Sequence, residues 1–504
     1  MLLSEALEGF PPPVAVPASD VAGRSAGAVF VVLDDDPTGT QSVADLPVLT
    51  SWAVEDIAWA LEQGLPAFYV LTNTRSLSPS DTAVRNREIA ANALQAARPL
   101  GTQLLFVSRS DSTLRGHFPL ETDTLASTIA ETTGATIDAV VLVPAFPDAG
   151  RVTIDSEHYM LAGEELTRVS DTEFARDATF GFPSSNLRSY VSAKTGGRLA
   201  ADDVLALTLN TIRSGPEQIA DLLGTATDGR AVVADAVTED DLRLIALGCH
   251  LARTRGTRLL FRVGPPFVRA AIGQDPHPPL TASEVYGDNA PGSGGGLVVV
   301  GSHVGVTSRQ LRHLTLARPQ CSTVVIEVEQ VISDTSRPAH LDDVVTRATD
   351  GLATGDVIVH TSRTLVTASD GEQSLAISRA VSAAVVDVVR RILESAPPRF
   401  VIAKGGITSS DVAVHGLSIR RAMVRGPMLP GIVSLWEPTD GSARGIPYVV
   451  FAGNVGSDAS LTDVVRTLAA HAGDGAGAGA GDPPAPANPT HPPAPSDPPE
   501  KDTP

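Results

Sequence analysis

Phe30-Val-Val-Leu-Asp-Asp-Asp-Pro-Thr-Gly-Thr-Gln-Ser-Val43 is the stretch on which the reading of the chain turns. The apolar run 28–33 stops at three consecutive carboxylates, Asp34, Asp35 and Asp36, and a Pro-Thr-Gly turn follows. A short continuous apolar run closed by turn residues reads as a buried parallel strand feeding a loop. Ligands of open α/β sheets bind beyond the carboxyl ends of the strands, so the acidic tip falls where a site is expected. Three adjacent carboxylates repel one another, a cost that a purely structural loop has little reason to bear. The plainer alternative is an Asp-rich turn or helix cap.

The strand–helix alternation continues outward from this stretch. Residues 31–33, 67–71, 103–107, 139–143, 231–234 and 258–262 read as strands, and 54–63, 80–97 and 240–254 as helices between them. Such alternation predicts a mainly parallel sheet covered on both faces. Residues 274–296, rich in Pro, Gly, Ser and Asp, read as a linker. A second α/β pattern follows, with strands at 297–300, 323–327, 356–360, 399–403 and 448–451 and helices at 307–314 and 374–394. The expected organisation is a short arm over 1–25, two α/β domains at 26–273 and 297–472, and a tail at 473–504. The Gly-Ala and Pro-Ala composition of that tail predicts disorder.

With 504 residues the chain is too long for one ordinary domain. Its net charge of −20 argues against nucleic acid as the main partner, because no basic surplus is available to neutralise phosphates. Cys249 and Cys321 are the only cysteines, which is neither a disulfide framework nor a zinc site. The first residues lack a secretory pattern, and no run reaches the roughly 18 apolar residues of a spanning helix. A cytoplasmic protein with no membrane partner is expected.

A second chemical stretch is Val107-Ser-Arg-Ser-Asp-Ser-Thr-Leu-Arg-Gly-His117, again after a predicted strand. Arg109, Asp111, Ser112 and Arg115 combine guanidinium forks for a carboxylate or phosphate with groups that hydrogen-bond sugar hydroxyls. Helix capping by Asp111 or Ser112 is the competing reading. Arg75 ends the preceding strand, and Asp148 and Arg151 lie in a Pro-rich loop that is as easily a rigid surface loop as a substrate wall. His158 has no second His at ligand spacing and reads as a hydrogen-bonded loop residue, so no metal ligand is assigned. In the second half, Gly301-Ser302, Gly405-Gly406 and the turn at Gly453 each follow a strand, and the first two open helices. Glycine turns of this kind let a backbone approach a phosphate. Neither a P-loop nor a Gly-x-Gly-x-x-Gly fingerprint is present.

Taken together, Asp35-Asp-Pro-Thr-Gly39, Asp111-Ser-Thr-Leu-Arg-Gly116, Gly301-Ser302, Gly405-Gly-Ile-Thr408, Pro430-Gly-Ile432 and Gly453-Asn-Val-Gly456 resemble the four-carbon acid sugar kinase family. The resemblance implies an acid-sugar-binding domain, an ATP-binding domain and phosphoryl transfer in the cleft between them, with ATP and Mg²⁺ taking part. It places Asp35, Asp36, Arg75, Arg109, Asp111, Ser112 and Arg115 at the sugar acid, with Asp36 as the catalytic group. It places Ser302, Gly405, Gly406, Thr408 and Gly453 at ATP. The partners implied are a small acid sugar (threonate, erythronate or an oxo derivative) and ATP, with room for a homodimer.

A second resemblance competes over the first hundred residues. Leu33-Asp34-x-Asp36-x-Thr38 fits the opening of a haloacid dehalogenase-like phosphatase, with Asp34 as covalent nucleophile and Asp36 as acid/base. That reading leaves 111–116 and the distal glycine turns without a role. A sugar-acid sensor without catalysis is the third class, and the retained glycine turns speak against it.

Overall fold

The computed structural model describes residues 1–24, 27–287, 294–363 and 371–470, with the backbone alone over 371–375. The tail expected at 473–504 and part of the linker expected at 274–296 lie outside the described residues.

The first half is built on β1 (Ala28–Asp34), β2 (Leu46–Leu49), β3 (Ala67–Leu71), β4 (Gln103–Arg109) and β5 (Ala139–Val143). A small separate sheet follows, of β6 (Arg151–Ile154), β7 (Glu157–Ala162) and β8 (Glu165–Arg168). Then come β9 (Leu205–Leu207), β10 (Arg230–Ala234) and β11 (Leu259–Val263). The second half contributes β12 (Leu297–Val300), β13 (Ser322–Ile326), β14 (Val357–Thr361), β15 (Val401–Lys404), β16 (Arg421–Leu429), β17 (Val433–Pro438) and β18 (Tyr448–Phe451).

Fifteen of these strands form one sheet, in the order β13-β14-β12-β15-β18-β17-β16-β2-β3-β1-β4-β11-β5-β10-β9. Every pairing from β2 to β9 is parallel, as is every pairing from β13 to β18. The hairpin β16–β17 joins them through three antiparallel pairings, β2–β16, β16–β17 and β17–β18. Three reversals leave the two parallel blocks running in opposite directions along one continuous sheet.

Burial explains why the parallel strands were apolar throughout. On β1, Phe30 and Val32 pack into one layer with Val107, Val141 and Phe261, while Val31 and Leu33 pack into the other with Val70 and Phe106. Both faces of the pleat are covered, so there is no polar face to alternate with. Local signals set the helix starts. Ser78 accepts from Asp81 N–H at 3.2 Å ahead of Pro79 in the helix Pro79–Ala97, and Thr238 with Asp241 forms a capping box for Glu239–Thr254.

One sequence expectation is corrected, and one hairpin lies where no element is expected. The region around Arg151 and His158, read as loop, is the sheet β6–β8. Its first hairpin turns on Asp155 and Ser156, both at positive φ (50° and 62°), a turn geometry usually announced by Asn-Gly. The hairpin β16–β17 went unread because Gly426 and Pro427 interrupt it; the β16 pairing is irregular at that point.

Candidate active site

The register of β1 assembles the first half-site. Asp34 pairs with Leu71 of β3 on one side and Arg109 of β4 on the other. The loops after all three strands therefore leave the sheet side by side. Thr72 N–H donates to the Asp34 carbonyl at 2.8 Å and Arg75 N–H to the Asp35 carbonyl at 3.2 Å.

The three carboxylates have three different surroundings. Asp34, 2% exposed, is ion-paired with the guanidinium of Arg109, itself 2% exposed. A Cβ on Gly39 would lie 2.1 Å from Asp34 Oδ2 and 2.4 Å from Arg109 Nε, so glycine is required for the turn to close over this pair. That enclosure removes Asp34 as a covalent nucleophile, because its oxygens face Arg109 and the Gly39 backbone. Asp35 is equally buried and takes a two-pronged contact from Arg75, at 2.7 Å to Oδ1 and 3.2 Å to Oδ2. Burial pushes its carboxyl up, to about 7, with Arg75 pulling the other way. Asp36 keeps a 23% exposed side chain. Its Oδ1 accepts from Thr38 N–H at 3.0 Å and Thr38 Oγ1 at 2.5 Å, and Oδ2 lies 3.5 Å from Arg75.

The 111–116 loop folds on itself beside them. Asp111 accepts from Thr113 Oγ1 at 2.5 Å and Arg115 Nε at 2.6 Å. Burial raises this carboxyl, but the charges of Arg75 and Arg115 with these hydrogen bonds outweigh it and hold it well below the usual range. Arg115 stacks over Phe174, 4.9 Å from the ring centre, and keeps 26% of its side chain exposed. Ser112 is buried, and its carbonyl accepts from His158 Nε2 at 2.7 Å while Thr153 Oγ1 holds Nδ1 at 2.8 Å. Leu114 and Gly116 both sit at positive φ, 67° and 119°. A Cβ on Gly116 would come within 2.7 Å of Arg262 Nη2.

A buried layer under this loop was missed in the sequence. Arg262 is ion-paired with Glu121 and donates to Ser108 Oγ at 2.6 Å, and Thr74 Oγ1 donates to Glu121 at 2.5 Å. The available signal was Arg262 itself, a charge in the otherwise apolar strand Leu259–Val263. Arg109 belongs with this layer. It also donates to the Asp36 carbonyl at 2.6 Å, and burial lowers its guanidinium to about 9.

The second half-site stands at the ends of β12, β15 and β18, which are sheet neighbours. Glycine lets the three turns touch. A Cβ on Gly301 would meet Thr408 Oγ1 at 2.2 Å, one on Gly405 (φ 129°) would meet Ser302 Cβ at 3.1 Å, and one on Gly453 would meet Ser302 Oγ at 2.6 Å. Gly406 faces open space. The helix Gly305–Ala317 starts here without a side-chain cap, leaving its first N–H groups available to an anion. Val304 and Ile407 are exposed at 46% and 69% beside the turns. Among the described residues no group of three or more His, Cys, Asp or Glu is arranged to hold a metal ion.

The halves meet through the same loops. Asn73, at φ 52° directly after Thr72, donates its side-chain amide to Ser410 Oγ, on the helix Gly406–Asp411 that follows Gly405. Trp436 Nε1 donates to Thr40 Oγ1 at 2.9 Å, tying the turn after Asp36 to β17, and Arg421 pairs with buried Asp56 at 2.6 Å.

A family model described as "Sugar-binding N-terminal domain" matches residues 30–271, and one described as "Nucleotide-binding C-terminal domain" matches 297–461. Laid end to end, the two matches are those of a sugar-binding half followed by a nucleotide-binding half. With the motifs above, the chain belongs to the four-carbon acid sugar kinase family. A curated relative from Heliobacterium modesticaldum, named D-erythronate kinase, is 28% identical over 306 residues. The match takes in 58% of this chain and 62% of that relative, so it spans about three-fifths of the relative's length. Among solved structures, a Haemophilus influenzae protein of the family DUF1537 aligns with TM-score 0.58 at 17% identity, over 87% of this chain and 100% of its own. A Salmonella typhimurium LT2 protein aligns with TM-score 0.64 at 17% identity, over 87% and 98%. These two likenesses bear on the fold. No helix among the described residues is long and apolar enough to cross a membrane.

Proposed function

We propose that the chain is an ATP-dependent kinase that phosphorylates a hydroxyl of a four-carbon acid sugar of the erythronate or threonate type. The observation that carries this reading is the junction of the two half-sites, where Asn73 from the Asp34–Arg75 cluster contacts the helix that opens at Gly405-Gly406. The D-erythronate kinase name of the relative supports the acid-sugar class.

Phosphoryl transfer asks a protein mainly for alignment and charge stabilisation. Arg75 and Arg115 are the guanidiniums with exposed surface, so they receive the substrate carboxylate, alongside Asp111 and the Ser112 loop at the hydroxyls. Arg109 supports them from below by holding Asp34 and the Asp36 backbone. Asp36, the one member of the acidic tip with an accessible side chain, orients the acceptor hydroxyl and takes its proton. The N–H groups around Ser302, Gly405, Gly406, Thr408 and Gly453 fit phosphates, and Val304 with Ile407 offers apolar surface to a base. The second half-site offers few protein carboxylates, which fits Mg²⁺, an ion commonly held largely by phosphates and water that would supply charge neutralisation there.

The test is ADP release across D- and L-erythronate, D- and L-threonate and their 2- and 3-oxo relatives. At least one acid should raise ADP release well above the acid-free rate and appear as a monophosphate. Equal ADP release with every acid and with none would refute the reading.

A further inference from the structure

Lys404, the last residue of β15, is fully buried beside the glycine turns. It appears in no ion pair among the described residues; its ammonium donates to the Ala452 carbonyl at 2.6 Å and stands 3.8 Å from the centre of the Phe451 ring. One residue further on, Thr307 Oγ1, also buried, donates to the Gly453 carbonyl at 2.7 Å. Two successive carbonyls of the β18 turn are therefore held from the protein interior.

The peptide bonds here are trans, so each carbonyl points opposite to the N–H of the following residue. Fixing the Ala452 carbonyl fixes the Gly453 N–H, and fixing the Gly453 carbonyl fixes the Asn454 N–H. Neither N–H has an acceptor among the described residues. We propose that Lys404 and Thr307 are positioning residues that aim the Gly453 and Asn454 N–H groups at a nucleotide phosphate. This rests on the nucleotide reading of the second half-site and adds two side chains that none of the glycine motifs contains.

The chemistry at position 404 argues for such a task. An amine without a carboxylate partner is expensive to bury, and burial lowers this one to about 7. A Leu or Met would fill the same apolar space without that cost, but neither could hold a carbonyl. Thr307 stands in the first turn of the helix Gly305–Ala317, which starts without a side-chain cap. The β18 turn is thus tied to that helix start through the Gly453 carbonyl.

The experiment uses the full chain and its Lys404→Met, Thr307→Val and Thr307→Ser variants. It reads ADP affinity by calorimetry, the KM for the acid, and melting without nucleotide. Lys404→Met and Thr307→Val should each weaken ADP at least fivefold and leave the acid KM within twofold, and Thr307→Ser should restore most of the loss. Should Lys404→Met fail to fold, the Thr307 pair alone decides. ADP binding by the unsubstituted chain that persists unchanged in the variants overturns the positioning role while the nucleotide reading stands. Parallel losses of ADP and acid affinity also overturn it, as the mark of general disruption. No ADP binding by the unsubstituted chain overturns both.

Discussion

Arg109→Met should destabilise the first half far more than its position in a binding motif suggests. The guanidinium is 3% exposed, is paired with Asp34, lies 3.5 Å from Asp35 and donates to the Asp36 carbonyl at 2.6 Å. Removing it leaves two carboxylates, each 2% exposed, with only Arg75 to share on the Asp35 side. Deleting one partner of a buried pair costs about 3–5 kcal/mol, because the remaining charge is stranded. The desolvation that lowers Arg109 itself is relieved, which places the expectation toward the lower end. Arg115→Met is the control. Its side chain is 26% exposed, and partly exposed pairs of this kind are worth about 1 kcal/mol or less. Urea unfolding followed by the combined fluorescence of Trp52, Trp59 and Trp436 measures both. In a double-mutant cycle, Asp34→Asn should recover a large share of the Arg109→Met loss. An Arg109→Met loss below about 1 kcal/mol, or no coupling to Asp34, would refute the argument that Arg109 is a support and not a substrate clamp.

Three further outcomes are expected. Burial lowers the His158 imidazole to about 4, so between its ordinary value and that point the native state binds fewer protons than the unfolded chain. Stability should fall as pH drops through that window, by roughly 3 kcal/mol at 1.36 kcal/mol per unit. His158→Gln should flatten that limb of a pH–stability curve; a limb of unchanged depth would contradict the assignment. Gly39→Ala drives a Cβ into the Asp34–Arg109 pair and should cost about 1–3 kcal/mol by overpacking, measured by the same urea unfolding, whereas Gly134→Ala, with nothing within 4 Å of its Cβ, brings only the strain of its positive φ. Asn73→Ala removes the side-chain contact to Ser410 between the two half-sites, so acid and nucleotide should enhance each other's binding in the unsubstituted chain and do so less in the variant, while each binds alone as before. Calorimetric titration of each ligand with and without the other reads this coupling directly.

The parallel strands were legible because both their faces are buried, and an unbroken apolar run such as Val29–Leu33 has one natural reading. The acidic tip and the 111–116 loop were legible for the opposite reason: charges stand where a strand has just ended. Sheet continuity was not legible. It depends on β2, four residues including Pro47, meeting a hairpin interrupted at Gly426-Pro427, and neither carries a periodic signal. Asp34, Asp35 and Asp36 are chemically identical side chains, and in the sequence only the family resemblance singled out Asp36; their surroundings come from the fold. The register opposite Arg109 and the turn at Gly39 enclose Asp34, Arg75 covers Asp35, and Asp36 is left accessible. Glu121 and Arg262 escaped notice because their partnership spans 141 residues of sequence.

The central claim is that Asp36 serves the transfer of a phosphoryl group from ATP to an acid hydroxyl. Its most direct test is the acid-dependent turnover of Asp36→Asn beside that of the unsubstituted chain, with acid binding measured on both. General-base assistance is worth about 10²–10⁴ in rate. The account predicts a loss of kcat of at least about a hundredfold, with acid affinity changed by only a few fold. Acid-dependent turnover by Asp36→Asn within a few fold of the unsubstituted chain would contradict it.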